Sequence, residues 1–376
     1  MVIAPDKFKG SLRGIEVARA IEAGFRRVFP DATYDLIPVA DGGDGTLDAL
    51  VTSLHGTEIE ETVTGPDGKP VRAAYGLIDA HSLGVVEMAR ASGLALVAPG
   101  TNDAMTSTSR GTGELIAAAL KAGARRVIVA IGGSATNDAG VGALRALGAR
   151  FLDADAEELP PGGAALIRLR HIDTGDLEAR LAGVTIEIAC DVKNPLVGPN
   201  GASAIYGPQK GASPAEVAEL DAALTQFAMV AAKTTGVDVR DVPGAGAAGG
   251  FGGGFLALAG AQLRPGADLV FDVLHFADHL TGADLVVTGE GRLDKQTLSG
   301  KAPYAVAQAA RARGIPVVAI AGTVTTTPDE LEEMGIREAV AIEPQGMSIQ
   351  ESMRHAASLT EDAAFNLAKR LREDMK

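Results

Sequence analysis

Five short stretches set acids beside glycines and small polar residues: Asp6–Ser11, Asp41–Thr46, Gly132–Asp138, Asp191–Asn194 and Gly289–Asp294. Each follows an apolar run that reads as a strand. Phosphoryl transfer needs that mixture. Backbone and lysine donors hold phosphate oxygens, carboxylates hold Mg²⁺, and a further carboxylate orients a hydroxyl. An acid in such a place can also simply cap a helix, but recurrence at five strand ends makes five unrelated caps the less economical reading. Spacing alone reaches a phosphate- or nucleotide-handling α/β enzyme.

The opening stretch carries the strongest signal. Val2, Ile3 and Ala4 form a short apolar run ended by Pro5, and Asp6, Lys7, Phe8, Lys9, Gly10 and Ser11 follow. Leu12, Ile15, Ala18, Ile21, Phe25 and Val28 then recur at helical spacing. Ser11 is placed to cap that helix through its hydroxyl. A helix N-terminus beyond the C-terminal end of a parallel strand is a ready anion site. Lys7, Lys9 and Arg13 give it local positive charge, against a chain total of −14.

The elements that must position these loops divide by rhythm. Strand–loop–helix units run from the start to about Glu58. Glu58–Val63, Val71–Ile78 and Gly84–Met88 then read as strands without intervening helices, with a Gly65-Pro66-Asp67-Gly68 turn between the first two. Strict alternation resumes near Asp284, with a strand at Leu285–Thr288 and later strands at Pro316–Ala321 and Glu338–Ile342. This predicts an α/β protein whose parallel-sheet domain, 1–60 plus 282–376, is interrupted by a second, mixed α/β domain, 61–281. The active site is expected in the cleft between them.

Composition excludes several classes. Hydrophobic residues at 46% and charged residues at 22% suit a soluble globular chain. An acidic balance (pI about 4.9) with no Trp and 4% aromatics argues against a nucleic-acid surface. No apolar run reaches the roughly 20 residues of a membrane span. A single cysteine, Cys190, and no cationic apolar leader fit the cytoplasm. Gly244-Ala245-Gly246-Ala247-Ala248-Gly249 matches the dinucleotide fingerprint in letters, but no clear strand leads into it, so a glycine loop or a close helix contact is expected there. Gly300-Lys301 is no Walker A motif, since Ala302 stands where Ser or Thr belongs.

The same segments resemble the bacterial type-1 glycerate kinases. The resemblance runs almost end to end and in order, through Ala4-Pro5-Asp6 and Phe8–Leu12, Val39–Gly43, Gly132–Asp138, Cys190-Asp191-Val192 with Asn194-Pro195-Leu196, Gly207–Ala212, Gly244–Gly250 and Thr288–Gly291 with Asp294, Gln296-Thr297-Leu298 and Gly300-Lys301. It implies ATP-dependent phosphorylation of glycerate with Mg²⁺, and a flavodoxin-like domain interrupted by a mixed α/β domain. The family often has Ser at Lys7 and Glu at Asp44, which makes Lys9 the phosphate lysine. On this basis Lys9 and the N–H groups after Gly10, with Ser11, are expected on the transferring phosphate or the substrate carboxylate. Gly132, Gly133, Ser134, Thr136 and Asn137 are expected on nucleotide phosphates, and Asn194, Lys210 and Lys301 on substrate or phosphate. Asp41, Glu290 and Asp294 are candidates for Mg²⁺, and Asp191 for the base. Similar enzymes commonly phosphorylate the 2-hydroxyl. The residues themselves leave the 3-hydroxyl open, along with an NAD-linked dehydrogenase or a non-catalytic nucleotide-binding protein.

Overall fold

Val2–Pro5 is apolar on both faces because it is central in its sheet. In the computed structural model, which describes residues 1–344 and 346–374, it pairs in parallel with Val286–Gly289 on one side and Asp35–Leu36 on the other. Val317–Ala321 and Glu338–Ala341 continue the sheet, all strands parallel. Counted along the chain, these five strands lie in the order 2-1-3-4-5, the flavodoxin-like doubly wound order. The helices Gly14–Arg26 and Ala356–Asp374 pack together, burying Val17, Ile21, Phe25 and Leu367 with Ile3, Val287 and Val318. Gly289 has no room for a side chain. A Cβ there would lie 1.9 Å from the carbonyl oxygen of Ile320 on the next strand.

The second sheet has six strands. Gln262–Arg264, Thr185–Ala189, Arg126–Ala130 and Leu83–Glu87 run parallel, and Pro70–Ile78 and Thr57–Thr64 add antiparallel strands at one edge. Its core gathers Phe151, Phe227, Phe251 and Phe255 with Ile186, Ile188, Val127 and Val129.

Contacts divide the chain into two units. One holds Met1–Asp41, Asp48–His55 and everything described from Ala267 onward; the other holds Gly42–Leu47 and Gly56–Gly266. These limits differ from the sequence boundaries at three places. Residues 56–60 belong to the Thr57–Thr64 strand, which is continuous across Glu60. Residues 267–281 pack with the first unit, where His279 Nδ1 lies 2.6 Å from Asp35 Oδ2. The Gly42–Leu47 loop groups with the second.

Three local expectations change. The first helix begins at Gly14, not after Ser11; its cap is Arg13, whose backbone N–H donates to the Glu16 carboxylate at 2.9 Å. The spacing of Ile349, Met353, Ala356, Leu367 and Leu371 predicts one last helix over about Ser348–Arg372; there are two, Ile349–Arg354 and Ala356–Asp374, broken at His355. The Gly244–Gly254 cluster, with a short apolar helix expected after it, lies mostly within that helix, Ala247–Ala259, which is kinked through left-handed residues at Ala248, Gly249 and Gly250.

Candidate active site

In the first unit the parallel register pairs Pro5 with Gly289, and the Asp6 N–H donates to Gly289 O at 2.8 Å. Asp6 and Glu290 therefore leave the C-terminal ends of neighbouring strands at the point where strand order reverses, the usual ligand position in such a sheet. The Asp6 carboxylate accepts from Lys7 N–H at 2.6 Å, and Lys7 Nζ lies 3.9 Å away. Burial pushes its pKa up to about 7; the Lys7 ammonium opposes this, while the Asp41 and Glu290 charges add to it. Glu290, also raised chiefly by burial, accepts from Thr297 Oγ1 at 2.6 Å and lies 3.6 Å from Lys301 Nζ. Asp41 and Asp294 raise Glu290 further. The three expected metal carboxylates thus share one electrostatic field, with Asp6 as a member the sequence reading missed. Asp294 is the most committed of them: it caps the short helix Lys295–Ser299 through Gln296 N–H at 2.8 Å and pairs with Arg292 at 3.1 Å. Among the described residues, no group of three or more acids, histidines or cysteines converges as a preformed metal site.

Lys9 sits exposed at the tip of the Phe8–Leu12 turn. Gly10 takes φ +75°, which the turn requires. The N–H groups expected to face phosphate are spent inside the turn, because Ser11 and Leu12 both donate to Phe8 O, at 2.9 and 3.0 Å. The Ser11 hydroxyl donates to Met353 O at 3.1 Å. The anion site built on these amides and on a Ser11 cap is therefore not formed; Glu16 satisfies the helix start, and Lys9 is what the turn presents.

In the second unit, the loop after Arg126–Ala130 points its side chains inward. Asn137 is fully buried and donates through Nδ2 to Ser203 Oγ at 2.9 Å. Asp138 accepts from Ser109 N and Oγ at 2.9 and 2.8 Å, and from the Gly140 and Gly142 N–H groups at 3.2 Å each. Lys210 departs from its expected phosphate contact. It is 1% exposed, and its ammonium donates to Ser134 Oγ at 2.8 Å and Thr136 O at 2.7 Å, so no surface is left for a ligand. Thr136 Oγ1 and Asn137 Oδ1 are buried with no protein partner. Ser134, Thr136 and Asn137 are thus turned away from solvent, and what this loop offers a ligand is main chain at Gly132 and exposed Gly133. The kinked Gly249 backs it so closely that a Cβ would sit 2.0 Å from Thr136 O.

A second glycine loop lies beside it. A Cβ on Gly132 would come 3.2 Å from Gly43 Cα. Glu87, 1% exposed at the end of its strand, accepts from Leu47 N–H at 2.9 Å at the start of the Thr46–Ser53 helix. Arg90 completes the support, bonded to Glu87 at 2.8 Å and Glu58 at 2.6 Å. An acid closing the Leu83–Glu87 strand was the available signal, and the sequence reading passed over it.

Asp191 follows the Thr185–Ala189 strand and is exposed, with Oδ1 accepting from Gly266 N–H at 2.8 Å. Asn194 is engaged at both ends, accepting from Tyr206 OH at 2.7 Å and donating to Asn200 O at 2.9 Å, so it stiffens the loop. Burial pushes the neighbouring Cys190 thiol up to about 11, far from a nucleophile's range.

A doubly wound sheet with paired acids at its switch point, and glycine loops at parallel strand ends, defines a phosphate-handling α/β enzyme. The glycerate kinase family model matches residues 1–372, and the chain belongs to that family. It is 48% identical over 368 residues to a glycerate kinase of Bacillus subtilis strain 168, covering 98% of this chain and 96% of that one. It is 46% identical over 376 residues to the glycerate 2-kinase of Escherichia coli K12, covering 100% and 99%. A crystal structure from Salmonella typhimurium LT2, described as a glycerate kinase 2, superposes with TM-score 0.92 at 46% identity, covering 100% of this chain and 98% of that one. Among the described residues no helix is long and apolar enough to cross a membrane.

Proposed function

We propose that this protein phosphorylates D-glycerate with ATP at the 2-hydroxyl, giving 2-phosphoglycerate. The observation that carries the reading is placement. Asp6, Glu290, Gly132 and Asp191 each follow the C-terminal end of a parallel strand, where α/β enzymes bind their ligands. The 2-hydroxyl is supported by the full-length likeness to a relative named glycerate 2-kinase.

In this reading Gly132 and Gly133 give main chain to nucleotide phosphates, and Lys9 stabilises charge on the transferring phosphoryl group. Asp191 orients the attacking hydroxyl and accepts its proton as the transition state forms. Lys301 opposes the upward shift that burial gives Glu290. Asp6, Asp41 and Glu290 fit a Mg²⁺ ion by charge, since burial and mutual repulsion hold Asp6 and Glu290 above the usual carboxylate range, an imbalance a cation relieves. Mg²⁺ commonly keeps several waters and is held by one or two carboxylates together with substrate phosphates. Bound there, it would neutralise charge on the phosphate oxygens.

³¹P and ¹³C NMR of the product formed from ATP and D-glycerate tests the reading. Phosphorus coupled to the carboxyl C1 is expected, as a 2-ester allows through three bonds. Coupling to C2 and C3 with none to C1, the pattern of the 3-ester, overturns the regiochemistry, and the absence of ADP-coupled phosphate ester overturns the activity.

A further inference from the structure

Lys210 is a fully enclosed lysine. Three bonds on successive residues hold the Gly132–Asp138 loop, two from Lys210 in the Pro208–Lys210 turn and one from Asn102. Lys210 Nζ donates to Ser134 Oγ at 2.8 Å and to Thr136 O at 2.7 Å. Between them, Asn102 Nδ2 donates to Ala135 O at 3.0 Å and also to Lys210 O at 2.7 Å. Asn102 is itself fixed by Ser107 Oγ, which donates to its Oδ1 at 3.1 Å.

We infer that Lys210 is a positioning residue, and that its ammonium, with Asn102, clamps the inner side of the loop so that Gly132 and Gly133 present one main-chain conformation to the nucleotide. Burying an amine is costly, and an apolar residue of similar length would fill the same space. It would leave Ser134 Oγ and Thr136 O without their donor, and the loop free to shift. Burial pushes the Lys210 ammonium down to about 7, with Asp138 the charge opposing it; charged or neutral, the amine keeps hydrogens for both acceptors. The inference rests on the nucleotide reading of this loop given above.

Lys210→Met, Ser134→Ala and the double variant test it, with hydrogen exchange of the loop amides and steady-state kinetics read together. Lys210→Met should lose loop protection by roughly tenfold or more and raise KM for ATP at least as much, while KM for glycerate moves little. Because the lysine acts through Ser134, the double variant should fall within about twofold of Lys210→Met. Should Lys210→Met not fold, Asn102→Ala removes one arm of the clamp and should show the same pattern more weakly. Unchanged loop protection overturns the inference, as do losses that multiply in the double variant, which mark Lys210 as a direct phosphate contact. Lost protection with an unchanged KM for ATP leaves the clamp standing and overturns the nucleotide assignment of the loop.

Discussion

Among individual residues, two lysines two positions apart have different surroundings. Lys7 lies against Asp6, whereas Lys9 is exposed at the tip of its turn. Lys9→Ala should lower kcat/KM by about 10²–10³-fold, the scale of one lost transition-state donor, and Lys7→Ser should cost much less. Equal losses in a coupled ADP assay would reduce both to diffuse charge. Asp191→Asn keeps an acceptor for the Gly266 amide but removes the base. Its kcat should fall by about 10²–10⁴-fold with ATP affinity nearly intact; near-wild-type kcat at saturation would end the catalytic role. Asp6 makes a prediction about stability. Its pKa rises from 3.8 to about 7, so between those values the folded state holds a proton that the unfolded chain has released. Stability from this group is greatest below pH 4, declines as pH rises to 7, and stays lowered above it. Asp6→Asn in EDTA at pH 8 should therefore be more stable than wild type by about 2–4 kcal/mol, with the gain shrinking towards pH 4. Matching unfolding curves at pH 8 would mean that nearby cations already compensate the carboxylate.

Among elements, the buried parallel strands were the most legible. Val2–Pro5 and Val317–Ala321 lie between covering layers and so read as unbroken apolar runs, and Val286–Gly289 is broken only by Thr288. Helix starts were less legible, because Ser11 is a better cap by type than Arg13 and only the Phe8–Leu12 turn decides against it. The inward set of the Gly132–Asp138 loop left no mark in the sequence at all. Asp138 is anchored by Ser109, 29 residues upstream, and Ser134 by Lys210, 76 downstream; a lysine read alone is taken as solvated. The glycine cluster matched a dinucleotide motif in letters, but its packing explains it instead. Gly249→Ala adds a Cβ 2.0 Å from Thr136 O at φ +70°, whereas Gly260→Ala at φ +61° meets nothing within 4 Å. Gly260→Ala should cost only left-handed strain, about 1 kcal/mol. Gly249→Ala should cost at least about 3 kcal/mol and disturb the loop it backs. Similar melting temperatures for the two would show that the close approach relaxes easily.

At the scale of the whole molecule, the chain passes between its two units several times. The first unit is built from Met1–Asp41, Asp48–His55 and the stretch beginning at Ala267. That arrangement has a cost during synthesis. The Thr288 hydroxyl bonds the Ala4 carbonyl across 284 residues of sequence. As the ribosome delivers the chain at about 5–20 residues per second, the opening strand waits roughly 15–60 s for its partner Val286–Gly289. Throughout that interval one edge of Val2–Pro5 has nothing to pair with, while all of Gly56–Gly266 is available to fold first. Nascent chains stalled near Gly266 should resist protease across the second unit and be cut within the first 41 residues; protection there before the Val286–Gly289 strand emerges would rule this order out. A strand made 284 residues before its partner has every reason to depend on whatever shields it while it waits.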